Sequence, residues 1–180
     1  LTGLASRGRV EQELAYWLAS GRPVSVLLLD VDRFKAINDT FGHNTGDDVL
    51  RLLAKILQHR GRSRDLVGRW GGEEFVIVCE DTPLSGAVIL ADQLRHRIAI
   101  QDFPGVGQCT ASFGVADSVA GDTVATLIDR ADRALYEAKR DGRNRVVGSG
   151  GAPQLLRIDV PTTLKRSTDT PTSTSAQAAS

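Results

Sequence analysis

The chain has 180 residues, enough for one domain with a substantial hydrophobic core. Its 22 basic residues balance its 22 acidic ones, so the zero formal charge excludes a bulk electrostatic attraction to nucleic acid or to a membrane surface. Apolar residues make up 41% of the sequence, but no unbroken apolar run approaches the roughly 20 residues of a membrane span.

Hydrophobic periodicity predicts alternating helices and strands. Apolar residues at helical spacing predict helices over 7–20 (with Ser6 as the N-cap), 34–41, 49–61, 87–100 and 127–138. Apolar or β-branched runs predict strands over 24–31, 65–70, 75–79, 108–116 and 145–147. From residue 24 to 116 the order is strand, helix, strand, strand, helix, strand. This is the ferredoxin-like split-βαβ (βαββαβ) pattern of the α+β class, with a helix added at each end.

Composition also predicts the extent of the domain. Residues 148–180 are rich in serine, threonine and proline and contain no aromatic residue, so we expect a disordered tail after one domain at 1–147. The sequence begins at Leu1 rather than at methionine, and we expect it to be a piece of a longer protein. Cys79 and Cys109 lie in apolar segments without a visible secretory signal, which predicts buried reduced thiols and a cytoplasmic location.

A glycine pair and two acids lie between the two predicted hairpin strands. Gly71-Gly72 followed by Glu73-Glu74 predicts a tight β-hairpin turn, in which the glycines can take positive φ and let a ligand approach the backbone. Adjacent carboxylates repel each other, so such a turn favours a bound cation or a shared proton. A solvated acidic turn is the alternative that this stretch alone leaves open.

A second acidic cluster, Asp30 and Asp32, ends the first predicted strand. Strand alternation sends both side chains to one side and Val31 to the other. In a split-βαβ sheet this strand end lies beside the hairpin turn, so we predict that Asp30, Asp32, Glu73 and Glu74 surround one point. Carboxylates of this kind hold one or two Mg²⁺ ions, which coordinate substrate phosphates and assist an in-line displacement at phosphorus.

Three further polar side chains are candidates with open alternatives. Lys35 could neutralise phosphate charge or be an ordinary surface lysine. Asn38 and Asp47 could recognise a base edge, or be a helix stop and an acid near a helix N-terminus. The sequence has no Gly-x-x-x-x-Gly-Lys-Ser/Thr loop and no Cys/His ligand pattern, which excludes a P-loop nucleotide site and a zinc site.

Several long motifs at matching spacing resemble the GGDEF family, the bacterial diguanylate cyclases, over residues 1–147. They are LTGL at 1–4, LDVDRFKAIND at 29–39, FGH at 41–43, GD at 46–47, RWGGEEF at 69–75, ASFGV at 111–115, ADRALY at 131–136, AKR at 138–140 and GRN at 142–144. The resemblance implies a fold related to adenylyl cyclase and polymerase palm domains. It also implies condensation of two GTP molecules into cyclic di-GMP with release of pyrophosphate.

The resemblance assigns metal and catalytic roles residue by residue. Asp30 and Glu73 would bind Mg²⁺, or Mn²⁺ in its place, with Glu74 and the Val31 carbonyl assisting. Glu73 would also be the base for the attacking 3′-hydroxyl, and Lys35 would stabilise charge on the phosphates.

The resemblance also assigns the substrate contacts. The substrate-binding positions would be Phe34, Asn38, Asp47, Gly71, Gly72, Lys139 and Arg143. Asn38 and Asp47 would recognise guanine, whereas Lys139 and Arg143 would face the γ-phosphate. Family members that use mixed purines lack the acid at the Asp47 position, so its presence favours GTP.

An Arg-x-x-Asp segment at 62–65 matches the inhibitory site of the family, so Arg62 and Asp65 would bind the product cyclic di-GMP. The alternative is that Arg60, Arg62 and Arg64 face the negative end of the preceding helix.

Each domain of this family holds one GTP, so catalysis implies a homodimer, which an N-terminal sensory domain absent from this sequence normally brings together. We expect neither a nucleic-acid partner nor a membrane segment. Ser6 stands where the family usually has asparagine, and it can still cap a helix. The alternative function is a non-catalytic receptor module that binds GTP or cyclic di-GMP. A phosphodiesterase role has no support in the sequence.

Overall fold

The computed structural model describes residues 1–60 and 64–149, apart from the side chain of Arg60. Within these ranges, five helices surround a six-stranded sheet, and a short hairpin stands apart. The helices are α1 (Arg7–Ala19), α2 (Phe34–Phe41), α3 (His43–Arg60), α4 (Leu84–Ile100) and α5 (Val124–Arg140). The strands are β1 (Ala5–Ser6), β2 (Val24–Val31), β3 (Leu66–Arg69), β4 (Glu74–Glu80), β5 (Asp102–Phe103), β6 (Gly107–Gln108), β7 (Ala111–Asp117) and β8 (Val146–Gly148).

The sheet confirms the predicted fold class. Its strand order is β1-β3-β4-β2-β7-β8, and the four antiparallel strands β3, β4, β2 and β7 form the split-βαβ core. Short parallel strands extend both edges, β1 beside β3 and β8 beside β7. The first long strand therefore lies directly beside the hairpin, as the site prediction requires.

The central strand β2 is buried along its whole length because helices cover both faces of the sheet. Its residues Leu27, Leu29 and Val31 pack in the core formed with α2, α3 and α4. The intervening residues Val26 and Leu28 pack in a second core formed with α1 and α5. The same alternation places the side chain of Asp30, the next residue on that face of β2, on the α5 face of the sheet.

A glycine lets α5 pack directly on β7. A Cβ atom on Gly114 would lie 2.1 Å from the Ala131 carbonyl oxygen and 2.2 Å from the Leu135 nitrogen. Only glycine is compatible with this close contact between backbones. The contact fixes the height of α5 over the sheet, and with it the position of Lys139 near the helix C-terminus.

Most predicted elements are present, with several shifts in their ends. The Ser6 hydroxyl accepts a hydrogen bond from the Arg9 amide and caps α1, as predicted. The strand predicted over 108–116 begins only at Ala111, because Gly107–Gln108 pairs with Asp102–Phe103 in a separate hairpin. Helix α4 starts three residues before its predicted start, and the short strand β1 was not predicted.

The last strand runs to Gly148, and the predicted domain boundary at 147 remains a prediction. Most of the predicted tail, 150–180, lies outside the described residues, as does the predicted inhibitory residue Arg62. Across the ranges that the structure covers, every helix is too short or too polar to cross a bilayer.

Candidate active site

The turn between β3 and β4 is closed by backbone hydrogen bonds. The amides of Trp70 and Gly71 both donate to the Glu74 carbonyl oxygen, at 2.9 and 3.2 Å. The Arg69 guanidinium donates to the Gly71 carbonyl oxygen at 3.2 Å and to the Gly72 carbonyl oxygen at 2.5 Å. Arg69 therefore holds the turn in shape, a role that its position in the motif did not reveal because the motif does not show the direction of its side chain.

The predicted turn is present, and neither Gly71 nor Gly72 uses the positive φ that is open to glycine. A Cβ at position 71 would lie 2.5 Å from Oε2 of Glu74, so any larger residue there would displace the Glu74 carboxylate. A Cβ on Gly72 would meet no atom within 4 Å, which leaves that side of the turn open to a ligand. Gly71 therefore lets the Glu74 carboxylate lie against the turn.

An ion pair with a buried carboxylate lies at the end of β2. Asp30 is 6% exposed, and it pairs across the sheet with Glu74 on β4 and with Ser112 on β7. The Lys139 Nζ atom lies 2.9 Å from Asp30 Oδ2. Burial raises the pKa of Asp30 above its ordinary value, although the Lys139 ammonium opposes the shift. This carboxylate therefore lies where a cation stabilises it.

Glu73 shares this electrostatic environment. Partial burial raises the pKa of the Glu73 carboxyl, and the negative charges of Asp30 and Glu74 raise it further, whereas Lys139 lowers it. Three acids and one ammonium thus interact at the junction of β2, the turn and α5. A carboxylate with a raised pKa accepts protons more readily near neutral pH.

The fourth predicted acid, Asp32, belongs to a separate hydrogen-bond network. Asp32 Oδ1 accepts from the Ser112 hydroxyl at 2.7 Å, and Oδ2 accepts from the Thr110 hydroxyl at 2.7 Å and from the Asn144 amide at 3.0 Å. Over residues 1–60 and 64–149, no three His, Cys, Asp or Glu side chains form a ready metal cage. The prediction that four acids surround one point is therefore not confirmed: three donors hold the Asp32 carboxylate, whose negative charge acts on Asp30 from that position.

The remaining acids still fit Mg²⁺. This ion is usually held by one or two carboxylates, and it keeps several waters and coordinates substrate phosphates. Asp30 and Glu73 offer oxygen ligands only, and the ammonium beside Asp30 shows that this position favours a cation.

The predicted guanine-reading residues lie on neighbouring helices. Asn38 is on α2, and a Cβ on Gly46 of α3 would lie 2.0 Å from its Oδ1 atom. Gly46 thus leaves room for the side-chain amide of Asn38. The next residue, Asp47, is partly exposed, and its carboxylate lies 4.0 Å from the Arg51 guanidinium. Gly46 was noted in the motif, but only the structure gives it this steric role.

The other predicted substrate contacts divide between two sides of α2. Phe34 is buried at its start and Lys35 is exposed. Arg143 instead lines a cleft of about 380 Å³ that also includes Arg33 and Thr40. Phe34, Lys35 and Asn38 do not line this cleft. Arg143 therefore lies in this cleft without Lys35, although its charge also acts on Asp30.

Asp65 is half-buried and precedes β3. It lines a cleft of about 210 Å³ together with residues of α4, including Gly86, Leu90 and Gln93. Its predicted partner Arg62 falls outside the described residues, so the product-binding pair stays a prediction.

Solved structures share this fold. The GGDEF domain of DgcB from Caulobacter crescentus, in complex with c-di-GMP, matches with a TM-score of 0.79 and 32% identity, covering 83% of this chain and 91% of that one. The active GGEEF domain of a diguanylate cyclase from Vibrio cholerae matches with a TM-score of 0.78 and 38% identity, covering 83% of this chain and 99% of that one.

Sequence comparison gives the family. Diguanylate cyclase DgcM of Escherichia coli (strain K12) is 44% identical over 153 residues, which cover 83% of this chain and 37% of DgcM. The chain spans less than half the length of the curated relatives that it matches first. The family model described as "Diguanylate cyclase, GGDEF domain" matches residues 1–145. The chain therefore belongs to the GGDEF family of diguanylate cyclase domains.

Proposed function

We propose that this domain is a diguanylate cyclase that condenses two GTP molecules into cyclic di-GMP. The observation that carries the proposal is the pair of the buried Asp30 carboxylate with Lys139, beside Glu73 at the GGEEF turn. A solved relative, the active GGEEF domain from Vibrio cholerae, has the same two glutamates in its motif name. DgcM of Escherichia coli, 44% identical to this chain, is a diguanylate cyclase.

The reaction joins two nucleotides through their 3′-hydroxyls. Each 3′-oxygen forms a bond to the α-phosphorus of the other GTP, and the bond from that phosphorus to pyrophosphate breaks. Glu73 accepts the hydroxyl proton, and its raised pKa suits it to this task. Asp30 and Glu73, assisted by Glu74 and the Val31 carbonyl, would hold Mg²⁺ or Mn²⁺. When bound, the ion supplies charge neutralisation for the phosphates and acidity for the attacking hydroxyl.

Side chains around this centre would orient the nucleotide. Asn38 and Asp47 would recognise the guanine edge, because an amide both donates and accepts while a carboxylate accepts two N–H groups. Phe34 would line the site, and the open face of Gly72, with Gly71 beside it, would admit the phosphates. Lys35, Lys139 and Arg143 would balance the phosphate charge.

Each domain would hold one GTP, so catalysis requires a homodimer in which two sites face each other. Arg62 and Asp65 would bind cyclic di-GMP and inhibit the enzyme. A half-buried carboxylate in a cleft beside α4 supports the Asp65 part of this site.

The test is chromatographic product analysis with GTP and Mg²⁺ over a range of protein concentrations, after copurified cyclic di-GMP is removed. We expect product, with a specific rate that rises with protein concentration because two domains must meet. Glu73→Gln should form none. A domain that binds GTP and cyclic di-GMP but forms no product would contradict the proposal and support the receptor module.

A further inference from the structure

Asp32 has the hydrogen-bond partners of a structural carboxylate, although it lies only two positions from Asp30. It is 7% exposed, and both of its oxygens accept hydrogen bonds. Two donors are the hydroxyls of Thr110, just before β7, and of Ser112, at the start of β7. The Asp32 amide also donates to the Thr110 carbonyl oxygen at 2.9 Å. This residue is therefore held on the β7 side of the strand end.

The third donor comes from the turn after α5. The Asn144 amide lies 3.0 Å from Asp32 Oδ2. Arg143 and Asn144 both have positive φ, 64° and 45°, which side chains other than glycine rarely adopt. Such a turn persists when its surroundings fix it. The Asp32 carboxylate is one such contact, and the hydrogen bond from the Arg143 amide to the Ala138 carbonyl oxygen, at 3.0 Å, is another.

We infer that Asp32 is a positioning residue that fixes the turn at 142–145 and thereby holds Arg143 towards the phosphates. The inference rests on the proposed function, since it takes Arg143 as a ligand of the γ-phosphate. Asp32 itself contacts neither the metal nor the nucleotide in this scheme. The positive charge of Arg143 opposes the rise in the pKa of the Asp30 carboxyl, which is consistent with a guanidinium directed towards Asp30.

Three changes at two residues separate this role from metal binding. Asp32→Ala removes the acceptor, so GTP affinity should fall by about tenfold, the effect of one lost charge-assisted hydrogen bond. GDP lacks the γ-phosphate, and its affinity should stay unchanged. Asp32→Asn should restore GTP binding, since its carbonyl oxygen can accept from Asn144 while its amide donates to Ser112. In an Arg143→Ala background, Asp32→Ala should cause no further loss.

Asp122→Ala is the matched control. Its carboxylate has 5% side-chain exposure and accepts from the Arg130 guanidinium, near the opposite end of α5 from Lys139. It should lower stability without changing the ratio of GTP to GDP affinity. If Asp32→Ala does not fold, Thr110→Val removes one donor with little change in shape and should weaken GTP binding by about threefold.

Titration calorimetry with GTP and with GDP, each with Mg²⁺, gives the readout. Equal weakening of GTP and GDP binding, or a loss in Asp32→Asn as large as in Asp32→Ala, would overturn the inference. The inference would also be overturned if Asp32→Ala bound GTP normally while Arg143→Ala bound it more weakly. That result would leave the proposed function standing. A wild-type domain that binds neither nucleotide would overturn the proposed function and this inference with it.

Discussion

The Lys139 ammonium lies 2.9 Å from the Asp30 carboxylate, so a residue near the end of α5 neutralises the buried acid at the end of β2. Asp30 and Lys139 come from elements that are far apart in the sequence, and the close packing of α5 on Gly114 brings them together. The site thus contains a positive charge before any metal or nucleotide arrives.

Lys139→Ala should destabilise the metal-free domain by about 1–2 kcal/mol, because it leaves a buried carboxylate without its cation. The effect is smaller than for a fully buried pair, since the Lys139 side chain is 31% exposed. In an Asp30→Asn background the same substitution should cost almost nothing. Urea unfolding of the two single variants and the double variant measures the coupling. Additive losses would mean that the ion pair does not stabilise the fold.

Glu73→Gln should abolish product formation and slightly stabilise the metal-free domain. The folded-state pKa of Glu73 is raised above its ordinary value of 4.5, so the ionised carboxylate costs stability as the pH rises through the window between the two values. The gain near neutral pH should be below about 1 kcal/mol, because solvent screens a half-exposed group. It should vanish below that ordinary value.

Thermal melts near neutral pH and below the ordinary Glu73 pKa of 4.5 check the Glu73→Gln prediction. Glu137 is exposed, and Glu137→Gln is the neutral control. Retained activity in Glu73→Gln would remove Glu73 from the catalytic role.

Gly46→Ala should weaken GTP binding by about tenfold and reduce the preference for GTP over ATP. Its Cβ would overlap Asn38 Oδ1, so the amide must leave the position from which it would read guanine. Gly8→Ala is the control, since it is also a helical glycine but its Cβ would meet no atom within 4 Å. That change should stabilise the helix by about 0.5–1 kcal/mol. Unchanged selectivity in Gly46→Ala would show that Asn38 does not read the base from this position.

Asp122→Asn should cost about 1–3 kcal/mol near neutral pH. The Arg130 guanidinium beside Asp122 holds the pKa of that carboxyl well below its ordinary value of 3.8. The pair therefore stabilises the fold fully above that value, and its contribution is lost as the pH falls towards the folded-state pKa. Denaturant midpoints of wild type and variant should converge in strong acid. Asp129→Asn, which breaks the exposed pair with Arg133, should change stability by less than about 1 kcal/mol.

The fold was predictable because its signals are local. The apolar run of β2, the glycine turn before β4 and the apolar stripe of α5 each lie within one short segment. The break before β7 was missed, because residues 108–116 form one continuous apolar-rich stretch and the hydrogen-bond partners of Gly107–Gln108 lie in another segment.

The site was predictable only in part, because hydrogen-bond partners are not local. Alternation placed Asp30 and Asp32 on one side of β2, but it could not show which donors would face each carboxylate. Asp32 receives its donors from residues 78 to 112 positions away. The turn glycines were located correctly, whereas the contact of the Glu74 carboxylate with Gly71 is one that no backbone pattern reveals.

The long sequence separation within the site has a consequence for biosynthesis. Glu73 and Lys139 are 66 residues apart, and the ribosome adds about 5–20 residues per second, so roughly 3–13 s pass between their synthesis. During that interval the acids of β2 and the turn have neither the ammonium of α5 nor the Asn144 amide. The nascent chain thus completes its nucleotide site only after the four antiparallel strands that support it have been synthesised.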